Sequence, residues 1–176
     1  MLDRFWPGPL TVLLLKNERV PLEVTGGLET VAVRFPRHPI AKALIEQCGL
    51  PLAAPSANLS GRPSPTCAEH VFNDLDGRVD LILDGGKSSF GLESTVLNAL
   101  CTPPTILRPG SITKSMLSEF LPDVQLYKPG SGLEDRPPTP GLKYRHYAPD
   151  SPVILFYNHE KVSQYIDEWL AEGKRI

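Results

Sequence analysis

Proline interrupts this chain so often that only short elements fit between its fixed turns. Nineteen of the 176 residues are proline, roughly twice the usual ~5% share. Each one sets φ and removes a backbone donor, which ends helices and keeps the residue out of central strands. Many lie beside glycine or serine. The length suits one domain with a proper core, or one domain plus a fragment. With 41% hydrophobic and 22% charged residues, the composition is that of a soluble globular protein.

Between the prolines, the pattern predicts an α/β order. Phe5-Trp6-Pro7-Gly8-Pro9 forms a rigid aromatic turn leading into an apolar strand, LTVLLL, over 10–15. TVAVR, over 30–34, is β-branched and reads as a strand. Pro39 opens a helix to about Cys48, with Gly49 just past its end. Strands are expected over 50–54, 79–83, 94–98 and 105–108, and helices over 66–75 and 113–121. Thr66 and Glu69 have the spacing of a capping box. Strands outnumber crossover helices, which favours a mixed, twisted sheet over a strictly doubly wound one. Residues 129–152 are rich in Pro, Gly and charge and read as a linker. A strand over 153–157 and an amphipathic helix over 161–172, carrying Val162, Ile166, Trp169 and Leu170, then begin a second α/β unit. The expected division is 1–128, 129–152 and 153–176.

Several function classes recede on composition. The net charge is −2, and Lys and Arg are spread out, which argues against a dedicated nucleic-acid binder. Cys48, Cys67 and Cys101 are odd in number and lack CxxC spacing. That disfavours a disulfide framework or zinc site and suggests a reducing, cytoplasmic compartment. No apolar run approaches the ~20 residues of a membrane helix, and the N-terminus lacks a signal-peptide layout.

The stretch PLAAPSANLSGRPSPT, over 51–66, is the best candidate site. Ser56, Ser60, Ser64 and Asn58 crowd a loop stiffened by proline where an expected strand ends. Such a loop is suited to positioning a ligand. Arg34 and Arg108 each end a strand before a proline turn, where a guanidinium can hold a carboxylate or phosphate. Glu93-Ser94-Thr95 follows a glycine-rich turn. No G-x-S-x-G elbow exists, and the four histidines show no spacing that marks a general base or a metal pair. The residues alone therefore give an arginine-flanked polar cleft for a small anionic or zwitterionic ligand.

Taken in order, FWPGPLT, GLETVAVRFP, LPLAAPSANLSGRPSPT, LDGG, ESTV, ILRPG and PGLKYRHYAP resemble the threonylcarbamoyl-adenylate synthase family, whose catalytic domain is called YrdC-like. The resemblance covers nearly the whole chain, and PGLKYRHYAP is similar to the linker of its two-domain branch. It implies a YrdC-like twisted mixed sheet with helices, incomplete at the N-terminus, and the start of a small α/β C-terminal domain. It further implies a nucleotidyltransferase that condenses L-threonine, bicarbonate and ATP into threonylcarbamoyl-adenylate and pyrophosphate. Other enzymes, the tRNA threonylcarbamoyl-transfer machinery, then act on adenosine 37 of tRNA. By matching position, Thr30, Ser56, Ser64, Arg108 and Tyr147 would contact ATP. Arg34, Ala54 and Ser94 would form the threonine site, with Asn58 supporting the loop. Arg34, Ser94 and Arg108 would carry the catalytic work. Mg²⁺ would arrive with ATP, keeping mostly water and phosphate ligands.

The family's P-T-E-T-x-Y-G-like turn and K-x-R motif, which normally lie upstream, have no counterpart in these residues. The resemblance therefore also admits an inactive fragment truncated at both ends. Two other readings stand beside it. One is a non-catalytic YrdC-like module holding nucleotide or double-stranded RNA, which salt-dependent binding would reveal. The other is the related carbamoyl transfer of hydrogenase maturation, against which the linker and the lack of zinc-type cysteine pairs argue.

Overall fold

The computed structural model describes residues 1–128 and 153–174. In chain order the first span holds α1 (Leu2–Phe5), β1 (Leu10–Leu15), α2 (Leu22–Thr25), β2 (Thr30–Arg34), α3 (Pro39–Cys48), α4 (Ala68–Leu75), β3 (Thr95–Asn98), β4 (Thr105–Arg108), α5 (Lys114–Ser118) and β5 (Gln125–Leu126). The second span holds α6 (Glu160–Ala171). Among the described residues the strands form one sheet in the order β2-β1-β3-β4-β5. The sheet is mixed: β1 runs antiparallel to β2 and parallel to β3, while β4 runs antiparallel to β3 and parallel to β5. The mixed α/β architecture agrees with expectation.

The period-2 alternation of strands divides the side chains between two faces. One face carries Leu10, Val12, Leu97 and Ile106, which pack with Phe5, Ile112, Leu117 and Val124 into the main core. Thr113 caps α5 by accepting from the Met116 amide at 3.3 Å, and this seats Leu117 in that core. The other face carries a smaller cluster, Leu13, Val96 and Leu107.

The helix opened by Pro39 ends where glycine allows it. Gly49 adopts φ +63° and its amide bonds to the Ile45 carbonyl. Residues 50–54 and 79–83 do not form the expected strands. A strand requires a neighbour's edge to satisfy its amides and carbonyls, and no described strand pairs with either run. All their side chains but the half-buried Ile82 are exposed, with Leu50 67% and Leu81 74% exposed. The capping box also fails. Helix α4 starts after Cys67 without a side-chain cap, because the Thr66 amide bonds instead to the ring nitrogen Nδ1 of His70. The strand expected over 153–157 is likewise absent. Helix α6 forms close to its expected bounds, with Tyr165 between Phe156 and Trp169 in an aromatic cluster. The linker expected over 129–152 lies outside the described residues. Among the described residues no helix is long and apolar enough to cross a membrane.

Leu97 is fully buried at the centre of the main core. Leu97→Ala is expected to lower unfolding free energy by about 2–5 kcal/mol, read from urea denaturation monitored by circular dichroism.

Candidate active site

Strand register brings the two predicted arginines to the same end of the sheet. Arg34 closes β2 opposite Thr11 of β1, and Arg108 closes β4 opposite Val96 of β3. The β3–β4 ladder contains a one-residue irregularity: Leu97 pairs with Ile106, but Val96 pairs with Arg108, so Leu107 is extra. A bulge of this kind re-aims the residue beside it. Arg108 Nε donates to the Ser94 carbonyl at 3.1 Å, and Nη2 to Ser94 Oγ at 3.2 Å. Ser94 Oγ also shares a hydrogen bond of 2.7 Å with Thr11 Oγ1. Arg34 Nε donates to the Gly8 carbonyl at 3.0 Å, and the Gly8 amide donates to Phe35 at 2.8 Å. Arg34, Thr11 and Arg108 thus share one register row, and Ser94, just before β3, is bonded to both Thr11 and Arg108.

The row is electrically unbalanced. Partial burial of the Arg34 guanidinium lowers its pKa from the ordinary arginine value, and the Arg108 charge lowers it further. Two like charges that feel one another, with their Nε donors engaged on backbone carbonyls, favour an anion between them.

Behind the row, the ESTV and RPG turns interlock. Buried Thr95 donates its hydroxyl to the Ile112 carbonyl at 2.7 Å and accepts from the Ile112 amide at 3.1 Å. Gly110 is required by close approach. A Cβ there would stand 2.5 Å from both the Glu93 carbonyl and the Thr95 amide.

The serine loop is held from α4. Asn58 Nδ2 donates to the carbonyls of Leu59 at 2.9 Å and Arg62 at 3.0 Å, closing the turn from inside. Asp74 accepts from the Leu59 amide at 3.0 Å and pairs with the Arg62 guanidinium. The backbone bond to Leu59, then the bond to Arg62, hold the Asp74 carboxyl below the usual carboxylate range. Ser56 and Ser64 line a cavity of about 240 Å³ with Thr66, Ser88, Phe90 and Glu93. Ser64 Oγ donates to Glu93 Oε1 at 2.6 Å, joining the loop to the ESTV turn.

The structure therefore brings Arg34, Ser94 and Arg108 together, and Ser56 with Ser64 on the adjoining cavity. Thr30 shares Arg34's strand but stands at its other end, opposite Leu15. Ala54 is exposed in the unpaired run before the loop. Tyr147 lies outside the described residues. Sequence reasoning missed Thr11, Glu93 as a cavity residue, and Asp74. The hydroxyl in an apolar strand and the aspartate four residues after His70 were visible, but only the register and the loop's path give them partners.

A family model for Sua5, YciO and YrdC proteins, described as telomere recombination, matches residues 1–110. The chain belongs to the Sua5–YciO–YrdC family. A second model, described as the threonylcarbamoyl-AMP synthase C-terminal domain, matches residues 112–176. Among relatives named threonylcarbamoyl-AMP synthase, that of Bacillus subtilis is 48% identical over 100% of this chain and 51% of its own. That of Schizosaccharomyces pombe is 47% identical over 98% of this chain and 45% of its own. The crystal structure of Pyrococcus abyssi Sua5 complexed with L-threonine superposes with a TM-score of 0.89 at 46% identity, covering 98% of this chain and 51% of that one. Escherichia coli YciO, at 31% identity, gives 0.54 over 60% of this chain and 52% of its own. The chain spans about half the length of the curated relatives it matches.

Two outcomes follow for this YrdC-like site. Asp74 has a folded pKa below its unfolded one, so its tether is present above the unfolded value and is lost as pH falls through the folded value. Protection of the amides over 58–62, relative to their unstructured exchange rates, is expected to hold at neutral pH and to fall only once pH drops below the ordinary carboxylate range. In Asp74→Asn that protection should be weakened already at pH 7. Gly110→Ala is expected to cost about 1–3 kcal/mol by forcing the RPG turn off residues 93–95, measured by chemical denaturation.

Proposed function

We propose that this site is the threonine and ATP site of a threonylcarbamoyl-AMP synthase, and that its reaction joins L-threonine, bicarbonate and ATP. The observation that carries the reading is the row Arg34–Thr11–Ser94–Arg108, in a chain nearly half identical to proteins of that name. The reading is supported by the Pyrococcus abyssi relative having been crystallised with L-threonine.

The chemistry needs positioning more than a protein nucleophile. The amine of threonine attacks bicarbonate carbon, and loss of water leaves a carbamate. A carbamate oxygen then attacks the α-phosphorus of ATP. The bond to the bridging oxygen breaks, and pyrophosphate leaves with its electron pair. Such a displacement is accelerated mainly by alignment and by neutralising charge on the phosphoryl oxygens. In this reading Arg34 holds the threonine carboxylate, with Ala54 and Ser94 completing that pocket. Arg108, aimed by its two bonds to Ser94, faces the α-phosphate. Ser56, Ser64, Thr30 and Tyr147 serve the nucleotide, and Asn58 keeps the loop closed. Mg²⁺ enters as part of the substrate MgATP and keeps phosphate and water ligands. The product would pass to the tRNA-modifying enzymes of a cytoplasmic pathway.

The test is calorimetric titration with L-threonine, followed by pyrophosphate release from MgATP with threonine and bicarbonate. Threonine-dependent release is expected. Arg34→Ala should abolish threonine binding, and Arg108→Ala should cut turnover about 10²-fold while threonine still binds. Unchanged binding and rates in both variants would sink the assignment.

A further inference from the structure

A second cavity, about 210 Å³ in volume, opens at the FWPGP turn. Among the described residues, Arg4, Arg37 and Ser111 supply its polar side chains, and Phe5, Phe90, Ile112 and Met116 give it an apolar wall. Phe5 and Ile112 belong to the main core, so the cavity lies on that side of β1, whereas Thr11 points to the opposite face. The frame of the cavity is fixed without a ligand. Trp6 Nε1 donates to the Leu10 carbonyl at 2.7 Å, and the Gly8 amide donates to the Phe35 carbonyl at 2.8 Å. The Arg37 guanidinium stands 5.9 Å from the centroid of the Phe90 ring, a cation–π contact that steadies its long side chain. Ser111 Oγ is buried and has no hydrogen-bond partner among the described residues. A buried hydroxyl is unfavourable until a polar group meets it.

We propose that this cavity binds a small phosphate monoester, with the phosphate on Arg4, Arg37 and Ser111 and the organic part on the apolar wall. Guanidinium groups hold phosphate oxygens through paired N–H donors. A phosphate monoester carries about −1.5 to −2 charges at pH 7, which matches two arginines, whereas a carboxylate would leave one of them unmatched. The Ser111 hydroxyl gains the partner that the fold does not give it. The apolar wall offers an organic body a surface that inorganic phosphate cannot use. The volume lies under the ~300–1,000 Å³ of a site for a whole drug-sized ligand, so that body is about the size of a single ring. This site goes beyond the threonine and ATP reading and does not rest on it.

Titration of the isotope-labelled protein with phenyl phosphate, followed by amide chemical shifts, tests it. Saturable binding is expected, with the largest shifts at Gly8, Arg37, Ser111 and Ile112. Inorganic phosphate should bind about 10-fold more weakly, because no ring is buried. Arg4→Ala and Arg37→Ala should each weaken phenyl phosphate about 10-fold, as for a lost hydrogen bond between charged groups. Both arginines are exposed, so the variants should keep the wild-type circular dichroism spectrum. Arg4→Lys and Arg37→Lys, which keep the charge without the planar fork, should bind with intermediate affinity. Arg108→Ala should bind phenyl phosphate as the wild type does. Equal affinity for inorganic phosphate would overturn the monoester assignment. Absence of saturable binding would overturn the site. Binding that survives both alanine variants but is lost in Arg108→Ala would place the ligand between the strand-end arginines and overturn it as well.

Discussion

Strand β1 is paired along both edges, antiparallel to β2 and parallel to β3, and its first four residues are buried. That double pairing brings residues near 10, 34, 95 and 108 to one end of the sheet. Leu10 and Val12 anchor the main core on one face. Thr11 and Leu13 point the other way, so the hydroxyl that meets Ser94 is set by the same pleat that seats the core. The FWPGP turn then adds backbone to this arrangement. The Gly8 carbonyl holds Arg34, and the Pro9 carbonyl accepts from the Thr95 amide at 3.0 Å.

The site built on this frame is held by bonds to backbone at most of its corners. Arg34, Arg108, Asn58 and Asp74 each spend a polar group on a main-chain amide or carbonyl. Such bonds leave the chain path little freedom, which matters for chemistry that works by alignment. Charge is separated along the site as well. The cationic row lies at the strand ends, and the carboxylate and hydroxyl wall adjoins it through the Glu93-Ser94 backbone.

Much of this was legible in the residues. The runs LTVLLL and TVAVR formed the strands that their β-branched, apolar content predicts, and the Pro39 to Gly49 helix formed between its start and stop signals. Arg34, Ser94 and Arg108 were legible because each is followed closely by turn residues or follows them. The misses share one cause. Residues 50–54 and 79–83 have strand composition, but a strand exists only against a partner edge, and none pairs with them among the described residues. Thr66 has the spacing of a cap, but His70 Nδ1 takes its amide. In both cases local preference was read correctly and a neighbour decided the outcome.

The sequence by itself determined where chain direction changes, which segments can be strands or helices, and which side chains carry chemistry. Those properties are local, because proline, glycine and β-branched residues restrict their own dihedrals. Only the tertiary structure decided that Thr11 meets Ser94 across 83 positions, that an extra residue in β4 turns Arg108 onto Ser94, and that Glu93 closes on Ser64. Register and a one-residue bulge are properties of paired strands, and no single segment contains them.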